Sequence, residues 1–390
     1  MTINNLAIWN YKYHMEVSFL KKKYYNFRLP NTIYVVIVSL ISFHGNAQDT
    51  SSLKKSAPIY QNPFDLASGG ASLTRATQEG VLFSNPSLPA FGEGYFRWIF
   101  LRSTLSVGDG TISAARDVAH TGTGNSTTLA TNIIEDAFKK PIYVGLDSAA
   151  GVLTSNFGIA GFASSKLDVN GQQFGTVGVP QLQIKSNAFA GVATTMSTTL
   201  SDYFAIGVGP KYIYNSEVNT SLSVSDASNP SLATSKLTSA LKKGNGLSTD
   251  IGFTTQYRTK NFDLRLAGVV ADFGNTTFTG GLPPWLQTYN AGIGFALHDF
   301  TNALHCSLDY RDITDVYGED RPKKIFMGCK VLITRIFGFG FGYLQGWPSY
   351  GMVLNLFLFR LEAGVYSRDE AIQSGLVGQK VYFVSLGFEI

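Results

Sequence analysis

His305 and Ser307 have the residue types and the spacing of a catalytic base and a nucleophile. They stand two residues apart, and in an extended strand residues at that spacing lie on the same face. A histidine that takes the proton of a serine hydroxyl activates it for covalent catalysis. The pair shares its face with Asp309, while Leu304 and Leu308 lie on the opposite, apolar face. If that apolar face meets lipid, the pair points away from any lipid substrate. We therefore expect no catalytic residue and no enzyme activity.

The two cysteines, Cys306 and Cys329, are the remaining reactive side chains. Two thiols without further ligands nearby do not make a structural zinc site. They fall on successive predicted strands, where a disulfide requires that the two residues stand directly opposite each other. Because the sequence does not show the register, we favour two free, lipid-facing thiols over a cross-strand disulfide. No clustered metal ligands and no phosphate-binding glycine loop are present, so we expect neither a metal nor a cofactor.

From about residue 95 to the carboxyl terminus, short segments alternate between apolar and polar or glycine positions. This period of two is typical of β-strands. The intervening connections are alternately long and tight, as in outer-membrane barrels with long outer loops and short periplasmic turns. The sequence therefore predicts an all-β fold, a transmembrane antiparallel β-barrel of about 14 strands over residues 95–390. Among these strands are the predicted segments 156–169, 181–196 and 202–215.

Three of the segments carry glycine where a lumen-facing side chain is expected. In 336–345, aromatic residues occupy one face and Gly338, Gly340 and Gly342 the other. The segments 289–298 and 203–212 show the same pattern. A barrel face that lacks side chains allows another backbone or a ligand to approach closely. The interior is therefore predicted to be obstructed.

Several charged residues also fall on predicted lumen faces. They form either a ladder of ion pairs that stiffens the barrel or a ring that selects ions in an open pore, and the sequence leaves both interpretations open. The lumen candidates are Lys211, Arg258, Arg265, Arg360 and Glu362.

Residues 1–47 are predicted to be a signal peptide. The apolar run 33–43 follows four basic residues and precedes Gly45-Asn46-Ala47, a small-x-small cleavage site. This run is shorter than the roughly 20 residues that a spanning helix needs. The remaining chain has 26 basic and 26 acidic residues, a balance that makes nucleic acid an unlikely partner.

Two long connections are predicted to contain helices. Asn229-Pro230 is a cap followed by proline at the first helical position, which predicts a helix through 231–243. An apolar stripe at four-residue spacing predicts another over 126–139. These helices either cover the rim of the barrel or flank an entrance for apolar ligands.

The segment before the barrel, 48–94, is predicted to be a linker and hatch. It contains the run LASGGASLTRATQEGVLFSNPSLPAF, which is similar to the amino-terminal segment of the FadL-like superfamily of long-chain fatty-acid transporters. That superfamily has Asn-Pro-Ala where this chain has Asn-Pro-Ser. The resemblance implies a fourteen-stranded barrel whose amino-terminal segment folds inward. The hatch residues it implies are Gly69, Gly70, Ala71, Asn85 and Pro86.

The sequence and this resemblance favour outer-membrane transport of hydrophobic, fatty-acid-like small molecules. The alternatives are a secretion or surface-attachment partner similar to PorV, and a general porin. The expected location is the outer membrane of a diderm bacterium, where membrane lipids and the hydrophobic ligand are partners. The last strand alternates apolar residues up to Ile390. It resembles the signal that the barrel-assembly machinery recognises, so this machinery is a further expected partner.

Overall fold

The fold is described from a computed structural model. It covers residues 59–92, 96–121, 137–138, 140–173, 180–223, 226, 229–299, 302–334, 336–369 and 378–390. The predicted signal peptide lies outside these residues. Within the described ranges, no helix is both long and apolar enough to cross a membrane.

Fourteen strands of the described chain form a closed antiparallel barrel in which each strand pairs with its neighbours in sequence and β1 pairs with β14. This confirms the predicted fold class. The strands are β1 (Arg97–Gly108), β2 (Ile142–Leu153), β3 (Phe157–Gln173), β4 (Pro180–Ser201), β5 (Phe204–Ser223), β6 (Lys242–Arg258), β7 (Phe262–Ala271), β8 (Thr288–His298), β9 (Ala303–Tyr310), β10 (Ile325–Ile333), β11 (Phe337–Leu344), β12 (Trp347–Leu356), β13 (Phe359–Asp369) and β14 (Gly378–Glu389).

The outer face of the barrel is apolar. Phe341 is 54% exposed, and Phe339 and Val384 are also exposed. Large apolar side chains that point away from the interior are what a barrel presents to lipid. The outward face therefore identifies a transmembrane barrel of the outer-membrane type, in which the tight turns, such as the one between β4 and β5, mark the periplasmic end.

Strands β3, β4 and β5 are longer than a membrane requires. They contain 17, 22 and 20 residues, whereas about 9–11 residues cross a bilayer. The sequence predicted shorter segments here because the added residues are mostly polar on both faces. In β3 and β5 the residues beyond the predicted segments lie at the loop end, whereas in β4 they are mostly 197–201, at the turn with β5.

Four α-helices and three 3₁₀ turns accompany the described strands. The helices are α1 (Pro63–Ala67), α2 (Val81–Ser84), α3 (Asp109–Thr121) and α4 (Pro230–Ala240), and the 3₁₀ turns are Gln78–Gly80, Leu88–Phe91 and Arg321–Lys324. Helix α4 confirms the helix predicted from Asn229-Pro230, since the Asn229 side chain accepts a hydrogen bond from the Ser231 N–H, but it ends at Ala240 and not at 243, because β6 begins at Lys242. Helix α3 lies where the sequence predicted only a loop. The predicted helix over 126–139 falls almost wholly outside the described residues.

The cysteine prediction was wrong, because Cys306 and Cys329 form a disulfide. The two residues are direct partners in the β9–β10 register, with their Cα atoms 4.1 Å apart. Register is the quantity that alternation cannot reveal, since it shows which face a residue occupies but not which residue faces it. The neighbouring outward residues, Phe295 and Phe341, place the disulfide on the lipid-facing side.

Replacing both cysteines with alanine is expected to lower the unfolding free energy by about 3 kcal/mol. The disulfide closes a loop with a sequence separation of 23 residues, and its loss frees the unfolded chain. The measurement is the temperature at which the folded barrel loses its compact migration on a gel. Alkylation of the untreated protein with a thiol reagent is the control, and two alkylated cysteines there would contradict the disulfide.

Candidate functional site

Residues 59–92, here called the hatch, lie inside the barrel. Their polar side chains are buried, including Asn62, Asn85 and Ser87, and they contact the inward faces of strands all round the wall. The five hatch residues predicted from the resemblance are among them. Three stretches of the hatch meet the wall at three patches of glycine.

The first patch, on β10 to β12, receives helix α1 and Gly69. A Cβ atom added to Gly342 would lie 2.7 Å from the Gly69 Cα, and one added to Gly351 would lie 2.7 Å from the Ala67 Cβ. Gly69 and Gly70 have φ angles of +82° and +70°, which glycine adopts without strain. The Gly69 N–H donates to the Ser349 hydroxyl at 3.0 Å. The glycine stripe in 336–345 thus makes room for the hatch backbone.

The second patch, on β8 beside Asp309 of β9, receives Ser72 to Thr74. The Asp309 carboxylate accepts from the N–H groups of Ser72 at 2.7 Å and Leu73 at 3.0 Å. Gly292 faces Leu73: a Cβ atom added to Gly292 would lie 3.1 Å from the Leu73 Cβ. Ala71 is buried one residue earlier, in a cluster with Phe326 and Leu344. Carboxylate bonds to successive backbone N–H groups fix this stretch to the wall.

The third patch, on β5 and β6, receives the Asn-Pro-Ser turn. The Asn85 amide donates to the Leu73 carbonyl at 2.7 Å and to the Thr254 hydroxyl at 2.9 Å. A Cβ added to Gly252 would lie 2.9 Å from the Pro86 Cδ. At Ser87 the FadL-like pattern has alanine. The Ser87 hydroxyl donates to the Asn85 side-chain Oδ1 at 2.7 Å and lies 2.7 Å from the Thr254 hydroxyl. The turn is therefore held by its own side chains and by the wall.

An ion-pair cluster near the periplasmic end joins the hatch to the barrel. The Arg102 guanidinium on β1 lies 3.3 Å from the Glu79 carboxylate of the hatch and 3.0 Å from that of Glu362 on β13. Arg360 bonds the same Glu362 oxygen at 2.5 Å, and Gln78 contacts both Arg102 and Glu389. Burial raises the pKa of Glu79, although Arg102 acts in the opposite direction. Such a cluster is strongly destabilised when one partner is removed.

The predicted lumen charges occupy different surroundings. Arg360 and Glu362 belong to the ion-pair cluster. Lys211 is buried against Asp250, with 2.6 Å between Nζ and the carboxylate. Arg265 contacts Asp263 at 3.1 Å and the Thr74 carbonyl of the hatch at 3.5 Å, whereas Arg258 is exposed at the periplasmic end of β6.

Sequence reasoning missed Arg102, Arg311 and Lys330, which bond hatch residues or pair with their carboxylates. Arg102 and Lys330 lie on lumen-facing positions of their strands, so the alternation that exposed the other charges could also have found them. Arg311 follows the last residue of β9, where the alternation ends. Their partners in the hatch are distant in the sequence, at 241 residues for Arg311 and 265 for Lys330. Such contacts leave no local signal in the sequence.

The His305–Ser307 pair faces the hatch. Ser307 accepts a hydrogen bond from the Thr74 hydroxyl at 3.1 Å, and the His305 ring lies 6.1 Å from that of His298. This places the pair beside the second glycine patch, where Ser307 takes part in docking the hatch.

An apolar cluster occupies the other side of the interior. It joins Ile59, Tyr60 and Phe83 of the hatch to Phe162, Phe189 and Ile213 on β3 to β5, and reaches Trp285 in the outer loop between β7 and β8. Phe83 stacks edge-on against Phe162 with ring centres 5.0 Å apart, and Phe189 does so against Trp285 at 5.4 Å. The cluster also includes Leu153, next to a periplasmic turn. Apolar side chains thus extend between the two ends of the barrel.

The outer loop that carries Trp285 folds inward over the wall. Phe278 packs on Trp285 with ring centres 4.7 Å apart, and isolated bridges join Phe278 to Gly246 and Thr276 to Trp285. The Asp272 carboxylate anchors the loop by accepting from the hydroxyls of Ser248 and Thr276 at 2.7 and 3.0 Å. This loop covers the outer end of the apolar cluster.

No family model and no curated protein matches the chain. Solved structures similar to it include the Ralstonia pickettii toluene transporter TbuX, which is 11% identical with a TM-score of 0.47 and covers 84% of this chain and 97% of its own. A deletion mutant of the monoaromatic hydrocarbon channel TodX is 10% identical with a TM-score of 0.46, covering 86% and 99%. The outer membrane phospholipase A from Escherichia coli is 12% identical with a TM-score of 0.29, covering 78% and 98%.

Transporters and an enzyme thus occur among these barrels. The interior combines two surfaces that suit different tasks. The charged side holds the hatch by ion pairs and backbone hydrogen bonds, and the apolar side offers contact to molecules that avoid water.

Proposed function

We propose that the chain transports hydrophobic small molecules across the outer membrane. The observation that carries the proposal is the apolar cluster inside the barrel, which extends from Trp285 in the outer loop to Leu153 near the periplasmic turns. A transmembrane barrel that conducts polar solutes has a polar, water-filled interior. Here phenylalanine and tryptophan side chains occupy one side of the interior, and the hatch bonds to the charged residues of the other.

The hatch supports the same proposal. It places Tyr60, Val81 and Phe83 into the apolar cluster while its other side bonds to the charged wall. A molecule that follows the apolar side therefore meets hatch side chains before it reaches the periplasmic end. Small rearrangements of the hatch would open its path without an aqueous pore. The lipids of the outer membrane and the assembly machinery remain expected partners.

Phe189→Asp is expected to reduce the transport rate at least tenfold, because a charge buried in an apolar cluster is strongly unfavourable. Phe189→Leu, which keeps the site apolar, is expected to retain most of the rate. The measurement is uptake of a fluorescent fatty acid and of a fluorescent aromatic hydrocarbon into vesicles with a lipopolysaccharide outer leaflet. Compact gel migration of both variants checks that the barrel has folded.

The same vesicles separate this function from its alternatives. Uptake of apolar probes without ion conductance supports the proposal. Ion conductance without apolar uptake would indicate a porin and overturn it. Absence of both, together with secreted proteins that co-purify with the barrel, would indicate a secretion or surface-attachment partner instead.

A further inference from the structure

Two buried polar atoms flank the outer part of the apolar cluster. Ser164 on β3 and Asn215 on β5 are the cross-strand partners of Phe189 on β4, so the three side chains lie in one row on the inner wall. Ser164 and Asn215 are each 2% exposed. Neither the Ser164 Oγ nor the Asn215 Oδ1 has a hydrogen-bond partner within the described part of the chain.

Buried polar groups without a partner are costly, and each one in a native structure requires an explanation. Here the two atoms lie on either side of an aromatic ring that stacks on Trp285. The next wall position beside Asn215, Gly244, is covered by Leu282 and Thr279 of the outer loop. The arrangement is an apolar surface with hydrogen-bonding groups at its edge, as in sites that orient a small molecule.

The charge at this row disfavours an anionic ligand. Asp147 on β2 is the cross-strand partner of Ser164 and adds an acceptor carboxylate to the same row. Lys166 and Glu217 lie in the next row on either side of Asn187, and Lys242 on β6 is the cross-strand partner of Glu217, so the cations lie in that row and not in the row of Phe189. The Asn187 Oδ1 is also buried and without a partner among the described residues. The buried side-chain oxygens of this row can therefore accept a hydrogen bond from a ligand that carries a donor group.

We infer that this row binds the hydroxyl group of an uncharged, otherwise apolar ligand, such as an alkanol or a phenol. The hydroxyl donates to the Asn215 Oδ1 or the Ser164 Oγ, and the apolar body packs on Phe189 and Trp285. The inference rests on the proposed function and narrows its substrate class. A site built to bond a hydroxyl rejects the analogue that lacks it, because its polar groups are then left unpaired.

The test uses Trp285 as the reporter. The chain has four tryptophans. Replacing Trp9, Trp98 and Trp347 with phenylalanine therefore makes Trp285 the single source of tryptophan fluorescence. The protein is placed in lipid nanodiscs, and quenching of its fluorescence is titrated with 8-bromooctanol, 1-bromooctane and 8-bromooctanoate. In this background we expect the alkanol to quench at about tenfold lower concentration than the alkane. Asn215→Leu is expected to move the alkanol curve onto that of the alkane and leave the alkane curve in place.

A matched variant, Asn219→Leu, tests an asparagine further out on β5 that is exposed, and it should change neither curve. Equal quenching by alkanol and alkane in the unsubstituted background would overturn the hydroxyl site while leaving the transport proposal intact. Tighter binding of the octanoate would also overturn it, in favour of a carboxylate site. If no probe quenches Trp285, the apolar cluster does not take up ligand and the proposed function fails as well.

Discussion

Arg102→Met is expected to convert a sealed barrel into one that conducts ions. The substitution leaves the carboxylates of Glu79 and Glu362 buried without the guanidinium that lies within 3.3 Å of both. Removing one partner of a buried ion pair costs about 3–5 kcal/mol. Glu79 belongs to the hatch, so this cost is relieved when the hatch leaves the barrel. Conductance in a planar bilayer and cleavage of the hatch by an added protease measure its release.

Acid provides a second readout for Arg102→Met. Burial already raises the pKa of Glu79 in the intact protein, and loss of the neighbouring cation raises it further. A protonated Glu79 no longer carries a buried charge, so lowering the pH should reseal the variant. The control is Lys140→Met, which removes an exposed ion pair with Asp109 of a kind that contributes about 0–1 kcal/mol. A variant at Arg102 that stays sealed and protease-resistant at neutral pH would show that the cluster does not hold the hatch.

Gly342→Leu is expected to release the hatch by a different route. Its side chain would enter the space of the Gly69 backbone, whose N and Cα atoms lie 2.6 and 2.7 Å from an added Cβ, beside the Met327 carbonyl oxygen of β10 at 2.5 Å. Forcing extra atoms into a packed interior costs about 3 kcal/mol, and backbone is less able to move than a side chain. We expect the barrel to assemble and to conduct ions at any pH, because no titrating group is involved.

Gly161→Leu is the matched control for this prediction. Gly161 is an exposed glycine on β3, where an added Cβ would find only the Gly191 carbonyl, at 3.9 Å. The variant should migrate as a compact barrel and remain sealed. If Gly342→Leu also remains sealed while compact, the glycine patch on β11 is not where the hatch docks.

Much of the architecture could be predicted from alternation alone. The two-residue period places Phe339 and Phe341 on lipid and Gly340 and Gly342 on the interior, and the structure agrees. The glycine stripes also predicted that something must approach the wall closely. What they could not show is which stretch of the hatch meets which patch, since any backbone fits against glycine.

The candidate site was harder to predict than the fold. The pairing of Cys306 with Cys329 depends on register, and that of Arg102 with Glu79 depends on where the hatch lies within the lumen. Neither the strand register nor the position of the hatch produces a periodic pattern in the sequence. The contribution of Trp285 was also not predicted, because a loop residue has no alternation that tells whether it points inward or outward. These are long-range contacts, which local sequence does not encode.

The pairing of β1 with β14 has a consequence for biogenesis. The hatch precedes β1 in the chain, yet its Gln78 contacts Glu389 of β14, and its Glu79 pairs with Arg102 of β1, which also pairs with Glu362 of β13. The polypeptide therefore wraps around its own amino-terminal part, and β14, the last strand in the chain, completes the enclosure. The strand that is synthesised last thus both closes the barrel and contacts the segment that is synthesised before all fourteen strands, so closure of the wall and docking of the hatch depend on the same strand.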